Sequence, residues 1–171
     1  KLRARTPEDP LDWSVGVEPF DILALHSAQA FNPKESAQVD AQRAHATLRK
    51  RQIFKAIKIE REERRKRQDS ISNYLEPNLK YGGGGLRDIE QALALRRLFH
   101  LDFEGADEYP FEVLEQIKEE LLFLRGLLHL RNSSDVFSAQ DQLELSRELG
   151  FEEPQALMKF LQSQLERASF Y

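Results

Sequence analysis

Six apolar residues between positions 111 and 128 recur at steps of three or four, which is the spacing of one face of an α-helix. They are Phe111, Leu114, Ile117, Leu121, Leu124 and Leu128. Pro110 precedes them and suits the first turn of a helix, where the backbone N–H that proline lacks would have no partner. An apolar face this long is stabilised by burial, so the sequence predicts that this helix lies at the centre of the core.

Most of the remaining chain shows the same helical period. Further helices are predicted over Phe20–Phe31, from Lys34 to about Ser72 as one long helix or two with a break, from Leu86, over Ala139–Leu149 and from Pro154. In the basic segment, Ile53, Phe54 and Ile57 have the spacing of one buried face. No segment alternates apolar and polar residues as a half-buried strand does. The sequence therefore predicts an all-α bundle of about six helices, including one long basic helix.

Local signals support the last two of these helices. Ser138 with Asp141 resembles a capping box, and Gly150 suits the end of the same helix. The final helix carries an apolar stripe of Leu157, Leu161, Leu165 and Ala168. At 171 residues the chain has the length of one domain. We expect residues 19–171 to form it, with residues 1–18 as an irregular, proline-containing arm or the tail of a preceding domain.

Composition excludes several classes of protein. The chain has no cysteine, so disulfides, thiolate zinc sites and cysteine nucleophiles are excluded. It has no apolar run of the roughly 20 residues that a membrane span needs. These features favour a cytoplasmic protein without a membrane partner. The chain opens with KLRART and no methionine, which indicates a piece of a longer protein.

The basic run from Arg49 to Arg67 suggests a nucleic-acid surface, because clustered Lys and Arg bind phosphates. The run has no aromatic residue beyond Phe54, and it contains Glu60, Glu62 and Glu63. Charges of both signs at helical spacing favour a solvated helix instead.

Four of the eight glycines stand together, from Gly82 to Gly85, immediately before a predicted helix. Glycine loses more backbone entropy on folding than any other residue, so either something approaches this backbone closely or the turn needs a positive φ. Exposed N–H groups at the start of the helix would form an anion site, with Lys80 and Arg87 on either side. A flexible joint between two helices is the alternative. The run ends in Leu86 and Arg87, so it is not a Walker loop.

The residues around the glycines resemble a known signature. Glu76-Pro77-Asn78-Leu79-Lys80, followed by Gly84-Gly85-Leu86-Arg87-Asp88-Ile89, resembles the E-P-N-x-K-x-x-P-G-G-L-R-D-I pattern of the uridylyltransferase/uridylyl-removing enzymes that modify the PII nitrogen-signalling protein. Glu90 matches a looser version in glutamine synthetase adenylyltransferases. Leu128-His129-Leu130, Phe137, Gln140 and Leu149-Gly150-Phe151 resemble the family's downstream pattern. The resemblance covers roughly residues 50 to 171. Two departures are Gly83, where the family usually has proline, and a shorter segment between His129 and Phe137 without the family's arginine there.

The resemblance implies the helical domain that follows the nucleotidyltransferase domain. Nucleotidyl transfer needs a Gly-Ser turn and paired carboxylates that hold Mg²⁺, and this chain has neither Gly-Ser nor Asp-x-Asp. No histidine is followed by aspartate, so the family's His-Asp phosphohydrolase motif is absent too. We therefore expect no catalytic residue, no metal ligand and no cofactor bound by this chain alone. Mg²⁺ and UTP, or another nucleoside triphosphate, are implied for the full-length protein.

Seven residues are predicted to bind a nucleotide or a domain interface: Glu76, Asn78, Lys80, Gly84, Gly85, Arg87 and Asp88. In this hypothesis Lys80 and Arg87 contact phosphate or the transferase domain, and Asp88 fixes the neighbourhood of Arg87 or caps the helix. Glu76 and Asn78 order the preceding turn. The alternative is that Arg87 and Asp88 tie the loop to the long basic helix. His129, in the most apolar helix, is expected to be a hydrogen-bonded core residue.

Two functions follow. In the first, the chain is the helical, non-catalytic domain of a PII-type uridylyltransferase-like nucleotidyltransferase, with a transferase domain and a PII-like regulatory protein as partners. It would help to form the nucleotide cleft and to present the protein substrate. In the second, it is a regulatory or protein-interaction module that has lost the transferase role. The shortened segment after His129 is the reason for considering this second function.

Overall fold

The computed structural model describes residues 19–27, 33–68, 71–99 and 111–170. Within these ranges the chain forms helices and no strand, which confirms the all-α prediction. The helices are α1 (Pro19–Ser27), α2 (Pro33–Leu48), α3 (Lys50–Gln68), α4 (Ile71–Leu75), α5 (Leu86–Phe99), α6 (Phe111–Arg131), α7 (Ala139–Glu148) and α8 (Pro154–Phe170). The predicted arm over residues 1–18 and the predicted end of the first helix lie outside the described residues.

The described helices outnumber the predicted six because the basic segment divides. It breaks at Arg49, so the alternative of two helices with a break is confirmed, and the short α4 follows before the glycines. The chain forms two compact units, one of residues 1–60 and 94–102 and the other of residues 61–93 and 103–171.

The second unit has its core on α6. The predicted stripe is buried from Leu114 to Leu128, whereas Phe111 is partly buried at the start of the helix. Leu86, Ile89 and Leu93 from α5 join this core. So do the four stripe residues of α8, Leu157, Leu161, Leu165 and Ala168. The helix predicted to be central therefore carries the core of this unit.

The first unit has a smaller core, to which α3 contributes Ile53 and Ile57. The prediction that Phe54 shares this buried face is wrong, because its side chain is 36% exposed. Phe54 stacks instead on Phe99, with the ring centroids 5.5 Å apart. Residues four apart share a helix face, whereas the residue after Ile53 lies about 100° around the helix.

The start of α7 has the predicted capping box. The Ser138 hydroxyl accepts a hydrogen bond from the Asp141 backbone N–H, and the Asp141 carboxylate accepts one from the Ser138 backbone N–H. At the other end, Gly150 has a φ of +76°, as a helix-terminating glycine does. Both predicted ends of α7 are confirmed to within one residue.

The connection between α6 and α7 is held by Asp135. Arg125 Nε donates to Asp135 Oδ1 at 2.6 Å, and His129 Nε2 lies 2.8 Å from the same oxygen. The prediction of a core position for His129 is wrong, because its side chain is 38% exposed. The buried stripe of α6 passes through Leu124 and Leu128, and His129 lies beside it.

None of the helices in the described ranges is long and apolar enough to cross a bilayer.

Asp135 makes the stability of this connection depend on pH. Burial by itself raises the pKa of Asp135, but the hydrogen bonds with His129 and Arg125 and the charges of Arg125 and Lys80 outweigh it, so the pKa lies below its ordinary value. A carboxyl group with a depressed pKa stabilises the fold above its unfolded-state pKa, about 4. This stabilisation is lost as the pH falls through the folded-state pKa.

We expect Asp135→Asn to lower the free energy of unfolding by about 1–2 kcal/mol at pH 7. The difference from the unsubstituted protein should shrink as the pH falls from about 4 through the lower folded-state pKa of Asp135, where this carboxyl group also becomes uncharged. Urea unfolding at a series of pH values measures it. Asp40→Asn is the control, because Asp40 forms an exposed helix pair with Arg43 at 3.5 Å. A cost for Asp135→Asn that is the same at every pH would contradict the interpretation.

Candidate functional site

Asn78 orders the turn before the glycines. Its Oδ1 accepts hydrogen bonds from the backbone N–H groups of Lys80 at 3.0 Å and Tyr81 at 2.7 Å. Its carbonyl oxygen accepts from the N–H of Gly82 at 2.9 Å. Asparagine is common in such turns because its side chain imitates a backbone acceptor. The prediction that Asn78 orders this turn is confirmed.

Glu76 bonds to the start of another helix. Its Oε1 accepts a hydrogen bond from the backbone N–H of Ala139 at 2.7 Å. Ala139 is the first residue of α7, where unpaired N–H groups and the helix dipole favour a carboxylate. Glu76 therefore ties the segment before the glycines to α7. The prediction that Glu76 orders the turn itself is wrong, because the partner lies 63 residues away in the chain.

Gly84 meets both conditions predicted for the glycine run. Its φ is +71°, and a Cβ at this position would lie 1.8 Å from the carbonyl oxygen of Leu165. The group that approaches the bare backbone is therefore α8. A Cβ at Gly85 would lie 2.8 Å from the carbonyl oxygen of Leu79, whereas one at Gly83 would meet nothing within 4 Å.

The N–H groups at the start of α5 are occupied by the chain itself. Gly84 N donates to Asp88 Oδ2, Gly85 N to Gly82 O, Leu86 N to Leu79 O, Arg87 N to Lys80 O and Asp88 N to Gly85 O, at 2.9 to 3.0 Å. The prediction that these groups are exposed and form an anion site is therefore wrong. The anion at this helix terminus is the protein's own Asp88 carboxylate.

Asp88 also joins the glycine loop to the long basic helix. Arg64 Nη1 donates to Asp88 Oδ1 at 2.8 Å, and Arg61 Nε lies 3.5 Å from the same oxygen. Arg64 Nη2 donates to Gln91 Oε1 at 3.1 Å. The side chains of Arg64 and Asp88 are only 4% and 2% exposed. For Asp88 the alternative prediction, a tie to the basic helix, is confirmed, and Asp88 also serves as the predicted helix cap.

Lys80 and Arg87 meet on one aromatic ring. Lys80 Nζ lies 5.0 Å from the ring centroid of Tyr81, and Arg87 Cζ lies 5.8 Å from it. Arg87 Nη1 is also 3.8 Å from Glu90 Oε2. Burial by itself raises the pKa of Tyr81, but hydrogen bonds with Lys80 and Arg87 and their charges outweigh it and lower the pKa. We call Lys80, Tyr81 and Arg87 the Tyr81 cluster. All three side chains are partly exposed.

Sequence reasoning missed the buried partner Arg64 and the ring of Tyr81. Arg64 carried a signal, because it lies two helical turns after Ile57 and therefore on the same face of α3 as Ile53 and Ile57. An arginine on a buried stripe indicates a buried carboxylate nearby. Gln91 is buried too and carried no comparable signal.

A cavity of about 440 Å³ lies beside the glycine loop. Its walls come from the end of α3, from α4, from Gly82 and Gly83, and from α8. Arg65, Gln68, Tyr74, Gln162 and Glu166 line it.

In the part of the chain that the structure describes, no three His, Asp or Glu side chains converge as a metal centre would require.

Comparison with known proteins assigns the chain to a family. Residues 52–169 match the family described as GlnD PII-uridylyltransferase. This chain belongs to that family. The bifunctional uridylyltransferase/uridylyl-removing enzyme of Streptomyces coelicolor (strain ATCC BAA-471 / A3(2) / M145) is 36% identical over 99 residues. The match covers 57% of this chain and 11% of that enzyme, so the chain spans a small part of its relative. No solved structure matches the chain.

The family match runs from the third residue of α3 to the last residue but one of α8, and so it contains the whole glycine loop. Of the predicted site residues, the structure brings Lys80 and Arg87 together and uses Asn78, Gly84 and Asp88 to build the loop. Gly85 lies inside the loop against the carbonyl oxygen of Leu79. Glu76 bonds to the first residue of α7. Binding of a nucleotide or of another domain by these seven residues stays a prediction.

Gly84→Ala should strongly destabilise the protein. A positive φ costs a side-chain-bearing residue about 1–2 kcal/mol, and overlap with the α8 backbone adds to it. We expect a loss of about 3 kcal/mol or more in thermal or urea unfolding. Gly83→Ala is the matched control and should be neutral or slightly stabilising, because nothing lies within 4 Å of its added Cβ. Equal effects of the two changes would contradict the close approach of α8.

Asp88→Asn should leave the Arg64 charge buried without a counter-charge. Removing one member of a buried pair typically costs 3–5 kcal/mol, so we expect a loss of about 3 kcal/mol or more. Glu90→Gln, at a carboxylate that is 38% exposed, is the control and should cost less than about 1 kcal/mol. The double variant Asp88→Leu with Arg64→Met should recover part of the loss. A small cost for Asp88→Asn would contradict the role of this pair.

Proposed function

We propose that this chain is the helical, non-catalytic domain of a PII uridylyltransferase-like nucleotidyltransferase, where it helps to form the nucleotide cleft and to present the protein substrate. The observation that carries the proposal is the Tyr81 cluster. Lys80 and Arg87, two residues of the family signature, lie against one partly exposed tyrosine ring. Asn78, Gly84 and Asp88 of the same signature are engaged inside the loop. The signature thus divides into residues that build the loop and residues left to face a partner.

The charge of the Tyr81 cluster suits an anionic partner. Lys80 and Arg87 supply two positive charges, and the nearby Glu90 balances one of them at 3.8 Å. A guanidinium group binds two phosphate oxygens at once, and an ammonium group adds a second point of positive charge. We therefore assign Lys80 and Arg87 to the phosphate groups of UTP or another nucleoside triphosphate. The Tyr81 hydroxyl would also donate a hydrogen bond to an oxygen of the bound phosphate.

The catalytic step belongs to another domain in this proposal. In the residues that the structure describes, no three His, Asp or Glu side chains converge in one place. The match covers 11% of the Streptomyces coelicolor enzyme, which leaves room for an adjacent transferase domain. The name of the family supports a PII-like regulatory protein as the substrate.

Arg87→Ala and Lys80→Ala in the intact protein test the proposal. Each removes a charge-assisted contact worth about 1.5–3 kcal/mol, so we expect the Kd for UTP to rise roughly 10-fold or more and turnover to fall. Isothermal titration calorimetry measures the affinity, and thermal unfolding checks the fold. Lys159→Ala, at an exposed position of α8, is the control and should change neither quantity. Unchanged UTP affinity and turnover in folded variants would overturn the proposal.

The Tyr81 hydroxyl gives an independent readout of the cluster. Arg87→Ala should raise the pKa of Tyr81, because one of the two cations that lower it is removed. An NMR titration of the tyrosine ring measures this shift. An unchanged pKa would mean that the two side chains do not share the cluster in solution.

The full-length sequence provides a second test. If the proposal is right, a Gly-Ser turn followed by Asp-x-Asp precedes this chain, because the triphosphate and Mg²⁺ need those residues. A ligand-sensing domain without a carboxylate pair at that place would instead support a regulatory module.

A further inference from the structure

The cavity beside the glycine loop has no role in the function proposed above. Its volume of about 440 Å³ falls within the range of small-molecule sites. The walls belong to the same compact unit and come from four segments, which are the end of α3, α4, the glycine loop and α8. A concave space with walls from several helices surrounds a ligand on more than one side.

The surfaces of the cavity suit a flat ring. Tyr74 lines it with a side chain that is 61% exposed, so the aromatic face is accessible. Gly82 and Gly83 line it with bare backbone, and a Cβ at Gly83 would meet nothing within 4 Å. An aromatic side chain and a glycine wall allow a planar heterocycle to lie close to both.

The polar groups suit a ring that both donates and accepts hydrogen bonds. Gln68 and Gln162 supply side-chain amides, each with donors and an acceptor, and Ser169 supplies a hydroxyl. Gln162 Nε2 donates to the carbonyl oxygen of Tyr74 at 3.4 Å. That contact orients the amide and leaves its Oε1 as an acceptor.

The charge of the lining distinguishes a base from a phosphate. The charged lining residues are Arg65 and Glu166, which cancel. A balanced lining does not favour a polyphosphate, whereas it accommodates an uncharged heterocycle. The Tyr81 cluster has the opposite character, with two cations and one nearby carboxylate.

The two regions are close along the loop. Consecutive Cα atoms are about 3.8 Å apart, so the Cα atoms of Tyr81 and Gly83 are separated by at most about 7.6 Å. A single nucleotide spans such a distance between its base and its phosphates.

We infer that the cavity binds the nucleobase of the nucleotide, a planar uncharged heterocycle with both donors and acceptors, while the Tyr81 cluster holds the phosphates. The inference rests on the proposed nucleotide role and adds the location of the base. It assigns ring stacking to Tyr74 and recognition of the ring edge to Gln68 and Gln162.

Gly83→Leu in the intact protein tests the inference. The position has no positive φ and has open space, so the side chain enters the cavity without backbone strain. We expect the Kd for UTP to rise about 10-fold or more while the Kd for inorganic tripolyphosphate stays within twofold. Isothermal titration calorimetry with both probes measures the two values, and ATP replaces UTP if it binds more tightly. Gly126→Leu is the matched control, because its added side chain also meets open space but lies on α6 away from the cavity lining.

Tyr74→Ala is the second variant, at an exposed side chain whose loss does not open the core. It should weaken UTP binding and spare tripolyphosphate binding, as Gly83→Leu does. An unchanged Kd for UTP in both folded variants would overturn the inference, as would equal weakening of both probes. If Arg87→Ala also leaves both Kd values unchanged, the proposed function fails as well. If Arg87→Ala weakens both probes, only the location of the base is wrong.

Discussion

The position of the glycine loop against the long basic helix depends on one buried carboxylate, that of Asp88. One of its oxygens accepts from Arg64 on the long basic helix, and the other accepts from the backbone of Gly84. Two segments that are about 20 residues apart in sequence are thereby fixed to the first turn of α5. Because both charges lie out of water, the pair is favourable only while its geometry is kept. The loop therefore has little freedom to move independently of the helices.

A rigid loop changes the meaning of the glycines. Gly84 permits α8 to pack against the loop backbone, and the N–H groups from Gly84 to Asp88 are consumed by the chain itself. The glycine run thus serves packing, and in the proposed function the affinity for phosphate comes from the side chains of Lys80 and Arg87. The loop holds these two cations at a common aromatic ring, so little side-chain entropy would remain to be lost on binding.

Much of the helical architecture was predictable from the sequence, because apolar spacing and capping are local. The α6 stripe and the Ser138 box belong to this class, whereas the sequence left the break in the basic segment as one of two alternatives. The errors have two other causes. Glu76 bonds to Ala139 across 63 residues, and the N–H groups of α5 find acceptors in the loop, which no local pattern encodes. For His129 and Phe54, a shift of one position around a helix separates burial from exposure.

Gly83 has a practical consequence because it has neither strain nor close neighbours. This chain has no cysteine, so a thiol introduced at position 83 would be its single site for covalent labelling. A fluorophore attached there would enter the cavity, as the leucine of Gly83→Leu does, without disturbing the α8 contact made by Gly84. If the cavity holds the nucleobase, a bound nucleotide would have to displace the fluorophore, and its emission would report that displacement. The residue that departs from the family signature thus offers the most convenient position for an optical probe.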